Sequence, residues 1–134
     1  PGLIAAGFEK ELDPRVRAQK HPRIVISDAF EFSEFGQKAD FAIAQSLFSH
    51  LPPDLIHLCF SKLRPWLADD GAFYATYFEV DTPRKNASRP HDHGYFAYVK
   101  SQMLSFGEAN GFTANYIGDW GHPRGQVMVE YRGA

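Results

Sequence analysis

The chain has 134 residues, with 14 Lys and Arg against 16 Asp and Glu for a formal net charge of −2, and it is 44% apolar and 15% aromatic. That length suits one domain with a true core, and the composition excludes a disordered chain. The near-neutral balance argues against a nucleic-acid groove or an anionic membrane surface, and no apolar run approaches the roughly 20 residues of a membrane span.

Leu3 to Leu12 predicts a short helix that places Leu3, Ile4, Gly7, Phe8 and Leu12 on one side and stops near Asp13-Pro14. Arg15 to Arg23 reads as a basic connection. Ile24-Val25-Ile26 follows as a brief β-branched run, expected to form a short buried strand. Ala39 to Ala44 is a second run of strand length. Pro53 to Leu67 is the clearest helix: Pro53 suits the first turn, Asp54 complements the dipole, and Leu55, Cys59, Leu63 and Trp66 form a stripe widened by Ile56, Phe60 and Leu67. Pro65 is expected to end its last turn.

Asp69-Asp70-Gly71 is a turn signal before a third strand over Ala72 to Phe78. Glu79 to Gly94 is long and polar, as a loop or lid would be. Phe96 to Asn110 predicts a helix closed by a left-handed Gly111, and strands are expected over Phe112 to Ile117 and Gln126 to Tyr131. Long crossovers between strands imply mainly parallel pairing, and the compact closing loop implies one antiparallel strand. The result is a three-layer α/β sandwich. Cys59, the single cysteine, cannot form an internal disulfide, so a reducing cytoplasm is the expected compartment.

The stretch ADFAIAQSLFSHLPPDLIHLCFSKLRPWLADDGAFYATYF resembles the middle of a class I S-adenosylmethionine-dependent methyltransferase. NGFTANYIGDWGHPRGQVMVEY resembles that family's closing β-hairpin, and RIVISDAFEF its third strand with the acidic turn after it. The resemblance implies a Rossmann-like sheet, mostly parallel with one antiparallel strand, and S-adenosylmethionine-dependent methyl transfer to a small-molecule acceptor. It departs at the front. No two of the 11 glycines are spaced two apart, so the Gly-rich turn that brings backbone to the cofactor is not in this sequence. The expectation is a carboxy-terminal part lacking the first two strands, with Pro1 just beyond the second, and hence with impaired cofactor binding.

If the strands are parallel, the loops after them open on one face. Asp28-Ala29 matches the family's adenine-contacting turn, where a carboxylate accepts from the amino group and a backbone N–H donates to the ring; alternatively Asp28 caps the turn. Gln45, Ser46 and Leu47 follow the fourth family strand and would line the methionine part of the cofactor, or form an ordinary strand exit. His50 is a candidate base for a hydroxyl acceptor, a role that histidine as a residue type can fill; it could equally pack the loop. His91, His93, Trp120, His122 and Arg124 are candidates for shaping an acceptor pocket, and Arg84, Lys85 and Arg89 could hold an anionic acceptor or be a solvated basic loop. Cys59, on the buried stripe, is expected in the core.

Two other readings stand beside the enzyme. Sheet edges left unpaired recruit further chains, so a non-enzymatic, methyltransferase-like oligomerisation module is the alternative, with a homo-oligomer expected. His91-Asp92-His93 with His122 could also serve a metal-dependent hydrolase, although no cluster of Cys or Glu supports the spacing.

Overall fold

The structure is a computed structural model that describes residues 2–91 and 93–134. Pro1 and Asp92 lie outside the described residues, as does the Leu3 side chain. Helix α1 (Gly2–Ala6) runs into a π-helical turn over Gly7–Glu11, and helix α2 follows at Pro14–Lys20. After a 3₁₀ turn at Phe32–Phe35 come strand β1 (Ala39–Ala44), helix α3 (Pro53–Leu63) and strand β2 (Leu67–Glu79). Two-residue strand β3 (Ala97–Tyr98) leads into helix α4 (Lys100–Glu108), then strands β4 (Phe112–Asp119) and β5 (Val127–Gly133).

The sheet order is β1-β2-β5-β4, with β3 added to the end of β2. β1 and β3 run parallel to β2, and β5 lies antiparallel between β2 and β4. The single antiparallel strand expected from the closing hairpin is therefore β5. Its insertion leaves β1, β2 and β4 pointing the same way, so their carboxyl ends share one edge.

One face of this sheet carries the core. Ala42 and Ala44 sit beside Phe73 and Ala75 in the β1–β2 register, and Tyr131 and Val129 continue that face on β5. Helix α3 presses Ile56, Cys59, Phe60 and Leu63 against it, four of the residues in the apolar stripe read from the sequence. The Phe60 ring is the hub, with centroids 4.7 Å from Tyr131, 5.4 Å from Phe73, 5.5 Å from Phe112 and 5.7 Å from Phe48. Such tilted and edge-to-face pairs add about 0.5–1.5 kcal/mol each beyond area burial. Cys59 is core as expected, and burial pushes its thiol up to about 12.

The other face is different. Phe41 and Ile43 point away from the core and are 72% and 63% exposed, at a strand that forms one edge of the sheet.

Several expectations are corrected. Ile24-Val25-Ile26 forms no strand: Ile24 and Ile26 are 48% and 65% exposed, and the run pairs with no strand among the described residues. Three β-branched residues supply extended propensity, but a strand needs a neighbouring ladder. The segment is instead held farther on, where the Arg23 guanidinium donates to the carbonyls of Phe35 and Glu34. Arg15 to Lys20 is helical, not a connection: Asp13 accepts from the Arg15 amide and Pro14 takes the first helical position. Asp-Pro thus marks a helix start as well as the previous stop.

Asp69-Asp70-Gly71 lies inside β2 as an irregularity, between the pairs Ala39–Leu67 and Phe41–Ala72. The last helix begins at Lys100, because Phe96 to Tyr98 is taken up by contacts with the β1 exit loop and β2. Gly111 does adopt the left-handed conformation, φ 78°, after α4.

Candidate functional site

The carboxyl edge of the sheet is organised by a small buried polar network. The Thr76 hydroxyl donates to Gln126 Oε1 at 2.6 Å, and the Ser46 hydroxyl donates to the same oxygen at 3.2 Å. The Ser46 amide in turn donates to Thr76 Oγ1 at 2.8 Å. Thr76 is 0% and Gln126 1% exposed. Strand β2, the exit of β1 and the approach to β5 are thereby joined at one point.

Ser46 has φ 59°, a left-handed conformation that a non-glycine residue holds only where its surroundings fix it. The buried Ser49 hydroxyl completes the turn by donating to the Ser46 carbonyl at 2.7 Å. Thr76, Ser49 and Gln126 are not among the candidate site residues that the sequence suggests. Nothing but their polarity in otherwise apolar strands and turns could have drawn attention to them.

This network fixes the segment Gln45 to Leu47. Gln45 is exposed, Ser46 is tied down, and Leu47 is half-buried against the core. His50 is exposed three residues on, its amide donating to the Leu47 carbonyl at 3.0 Å. Leu51 is buried and accepts from the buried Tyr98 hydroxyl, so the loop carrying His50 is anchored on both sides.

The other predicted loops meet over Phe78. Tyr95 packs on the Phe78 ring at 4.6 Å between centroids, and the Arg84 guanidinium lies 4.9 Å over Tyr95. On the same Phe78, the Arg124 guanidinium stands 5.7 Å from the ring centroid. Arg84 and Arg124 thus enclose a Tyr–Phe pair, a stacking guanidinium groups favour over ammonium groups.

His122 is committed to its loop: Nδ1 accepts from the amides of Arg124 and Gln126, at 3.1 and 3.4 Å. Trp120 packs against that imidazole at 5.4 Å and remains 37% exposed. His91 packs on the buried Phe96 ring at 4.9 Å, and its Nδ1 is buried with no hydrogen-bond partner among the described residues. His93 is exposed beside it. Among the described residues no three His, Cys, Asp or Glu side chains gather as a metal site.

At the end of β2, Glu79 receives two phenols, Tyr77 at 2.7 Å and Tyr116 at 2.9 Å. Burial first, and then the adjoining carboxylate, raise both phenols above their ordinary range, so they stay neutral donors.

The residues present fit one part of a nucleoside-cofactor site. The fixed exit of β1 offers Gln45, Ser46 and Leu47 at the edge where open α/β sheets take their ligands. The Asp28-Ala29 turn is capped by Ser27, whose hydroxyl accepts from the amides of Ala29 and Glu31 at 3.1 and 3.3 Å. The Ala29 amide is therefore engaged within the turn, while the Asp28 carboxylate is exposed.

No protein-family model matches the sequence, and no curated protein matches it. Solved structures do match the fold. CalO1, a methyltransferase in calicheamicin biosynthesis in its SAH-bound form, aligns with TM-score 0.66 and 11% identity over 92% of this chain and 37% of its own. Mitomycin 7-O-methyltransferase MmcR aligns with TM-score 0.64 and 16% identity over 90% and 38%. Magnesium protoporphyrin IX methyltransferase of Synechocystis PCC 6803, with bound SAM, aligns with TM-score 0.54 and 14% identity over 84% and 46%. The chain spans about a third of the length of the first solved structures it matches. By sheet order, strand directions and these likenesses, the chain has the fold of the carboxy-terminal part of a class I S-adenosylmethionine-dependent methyltransferase.

Proposed function

We propose that this chain supplies the β1-exit wall and the acceptor side of an S-adenosylmethionine-dependent methyl-transfer site. The observation that carries the reading is the Thr76–Gln126–Ser46 network, which holds a left-handed turn where three parallel strands end. The bound cofactor supplies an electrophilic methyl group on a sulfonium. Such a displacement is an in-line attack, so the main task of the protein is to place donor and acceptor.

Gln45, Ser46 and Leu47 line the methionine side, and the exposed Asp28 carboxylate is available to the adenine amino group, with Ala29 shaping that turn. Trp120, His122 and the Arg124 stack on Phe78, from the β4–β5 loop, and His91 and His93, from the loop after β2, border the acceptor. His50, exposed on an anchored loop, takes the proton of a hydroxyl acceptor on an imidazole nitrogen as the new bond forms. Without a Gly-rich turn among the 134 residues, the chain alone binds cofactor weakly.

The test is a nuclear magnetic resonance titration of the chain with S-adenosylhomocysteine. Shifts of the Gln45, Ser46 and Leu47 amides at millimolar ligand are expected. A titration that leaves those amides unmoved removes the reading.

A second reading rests on Phe41 and Ile43. They lie exposed on an edge strand, an apolar edge of the kind that natural sheets usually avoid. Self-association through β1 follows, and Phe41→Lys with Ile43→Lys is expected to return the chain to a monomer in sedimentation. A wild-type chain that sediments as a monomer at high concentration refutes it.

A further inference from the structure

Beside the aromatic stack, residues 84–87, His91 and residues 93–96 enclose a cleft of about 210 Å³ lined by Arg84, Lys85, Asn86, His91, Tyr95 and Phe96 among others. The formal charges on its described lining residues are of one sign. Arg84 and Lys85 bring two permanent positive charges, and no carboxylate stands among its described lining residues. His91 adds a buried imidazole nitrogen without a partner among the described residues, which can donate in the matching tautomer.

The cleft is also held in shape. Asn86 is clamped to Ala97 at two points: its side-chain amide donates to the Ala97 carbonyl at 2.9 Å, and its side-chain carbonyl accepts from the Ala97 amide at 3.1 Å. That pairing fixes the neighbours Arg84 and Lys85 to a strand of the sheet. Arg84 rests its guanidinium on the Tyr95 ring, which leaves the N–H edge for a planar two-oxygen partner. The opposite wall is tied to the β1 exit, because the Phe96 amide donates to the Ser49 carbonyl at 2.8 Å. The cleft therefore adjoins the edge where Gln45 to His50 lie.

We propose that this cleft binds an oxyanion, carboxylate or phosphate, carried by a small-molecule methyl acceptor, with Arg84 and Lys85 as its charged ligands and His91 as a third donor. The acceptor assignment rests on the methyl-transfer reading; the oxyanion site does not. Arg89, grouped with Arg84 and Lys85 in the sequence, does not line the cleft, which makes it a built-in control.

The experiment titrates the chain with 4-hydroxybenzoate in one arm and inorganic phosphate in the other, following the His91 side-chain and Tyr95 amide resonances. Saturable shifts are expected, with Arg84→Gln weakening binding about tenfold, the scale of one charge-assisted hydrogen bond, and Arg89→Gln leaving it unchanged. Saturation by 4-hydroxybenzoate alone assigns a carboxylate, and saturation by phosphate alone assigns a phosphate-bearing acceptor. No saturable shift in either arm, or equal weakening by Arg84→Gln and Arg89→Gln, overturns the site. Adding S-adenosylhomocysteine to the same samples separates the two readings. Shifts at Gln45 to Leu47 without probe binding overturn the oxyanion site alone, whereas probe binding without those shifts overturns the acceptor assignment.

Discussion

The Thr76 hydroxyl and the Gln126 side-chain carbonyl meet at 2.6 Å in a fully buried position, and this pair locks the closing hairpin to the centre of the sheet. A buried acceptor that loses its donor keeps its desolvation cost, so breaking one side alone is expensive. Gln126→Leu is expected to destabilise the chain by about 2 kcal/mol, and Thr76→Val by a similar amount. The double variant should lose less than the sum, because neither partner is then stranded. Urea unfolding of the four proteins measures the coupling, and strict additivity would deny it.

Gly107 offers a test in which two effects have opposite signs. It is buried in α4, and a Cβ there would lie 2.5 Å from Tyr131 Cδ1 and Cε1. Ala normally gains about 1 kcal/mol over Gly inside a helix, whereas overpacking costs about 1–3 kcal/mol. Tyr131 is unable to yield easily, since its hydroxyl donates to the Met103 carbonyl at 2.9 Å and its ring packs on Phe60. Gly107→Ala is therefore expected to lower the urea midpoint. A raised midpoint would mean that the ring moves aside.

Cys59 is expected to be chemically silent while the chain is folded. With its thiol pushed up to about 12 by burial, Cys59 stays protonated at pH 8 and lacks the nucleophilic thiolate form. A disulfide reagent should react slowly in buffer and at once in denaturant. Fast reaction under native conditions would place Cys59 outside the core.

Glu130 carries a pH dependence of definite sign. The Arg132 guanidinium donates to its Oε1 at 2.6 and 3.0 Å and is the main reason its carboxyl lies below the ordinary value of 4.5; Asn115 and Tyr74 donate as well. A carboxyl lowered by folding contributes stability that is fully present above its unfolded value and is lost as pH falls through the folded one. Stability should therefore decline below about pH 4.5, and Glu130→Gln should flatten that decline. Urea midpoints at neutral and acid pH for both proteins provide the check. Parallel declines would assign the acid loss to other carboxylates.

What local pattern could decide was readable from the residues. The α3 stripe announced its buried face, because helix period and apolar burial are set over a few turns. Gly111 announced its left-handed turn, because only glycine takes that conformation freely. The alternation of strands and helices, with a compact final loop, was enough to expect parallel strands and one antiparallel one.

The site was legible only as a set of loops. Ser46, His50, Trp120 and Arg124 were marked by lying after strands, but their partners were not, since Thr76 meets Gln126 across 50 residues of sequence. Nor did the Arg84–Tyr95–Phe78–Arg124 stack exist before two separate loops were folded over one ring.

The run at Ile24 shows the limit from the other side. Its β-branched residues determine an extended preference, but a strand is a pairing, and pairing depends on what lies alongside in space. The sequence alone therefore determined which segments could bury an apolar face and where the chain could turn. The tertiary structure decided which polar groups became neighbours, because hydrogen bonds and ring stacks form between residues whose separation along the chain carries no record of their contact.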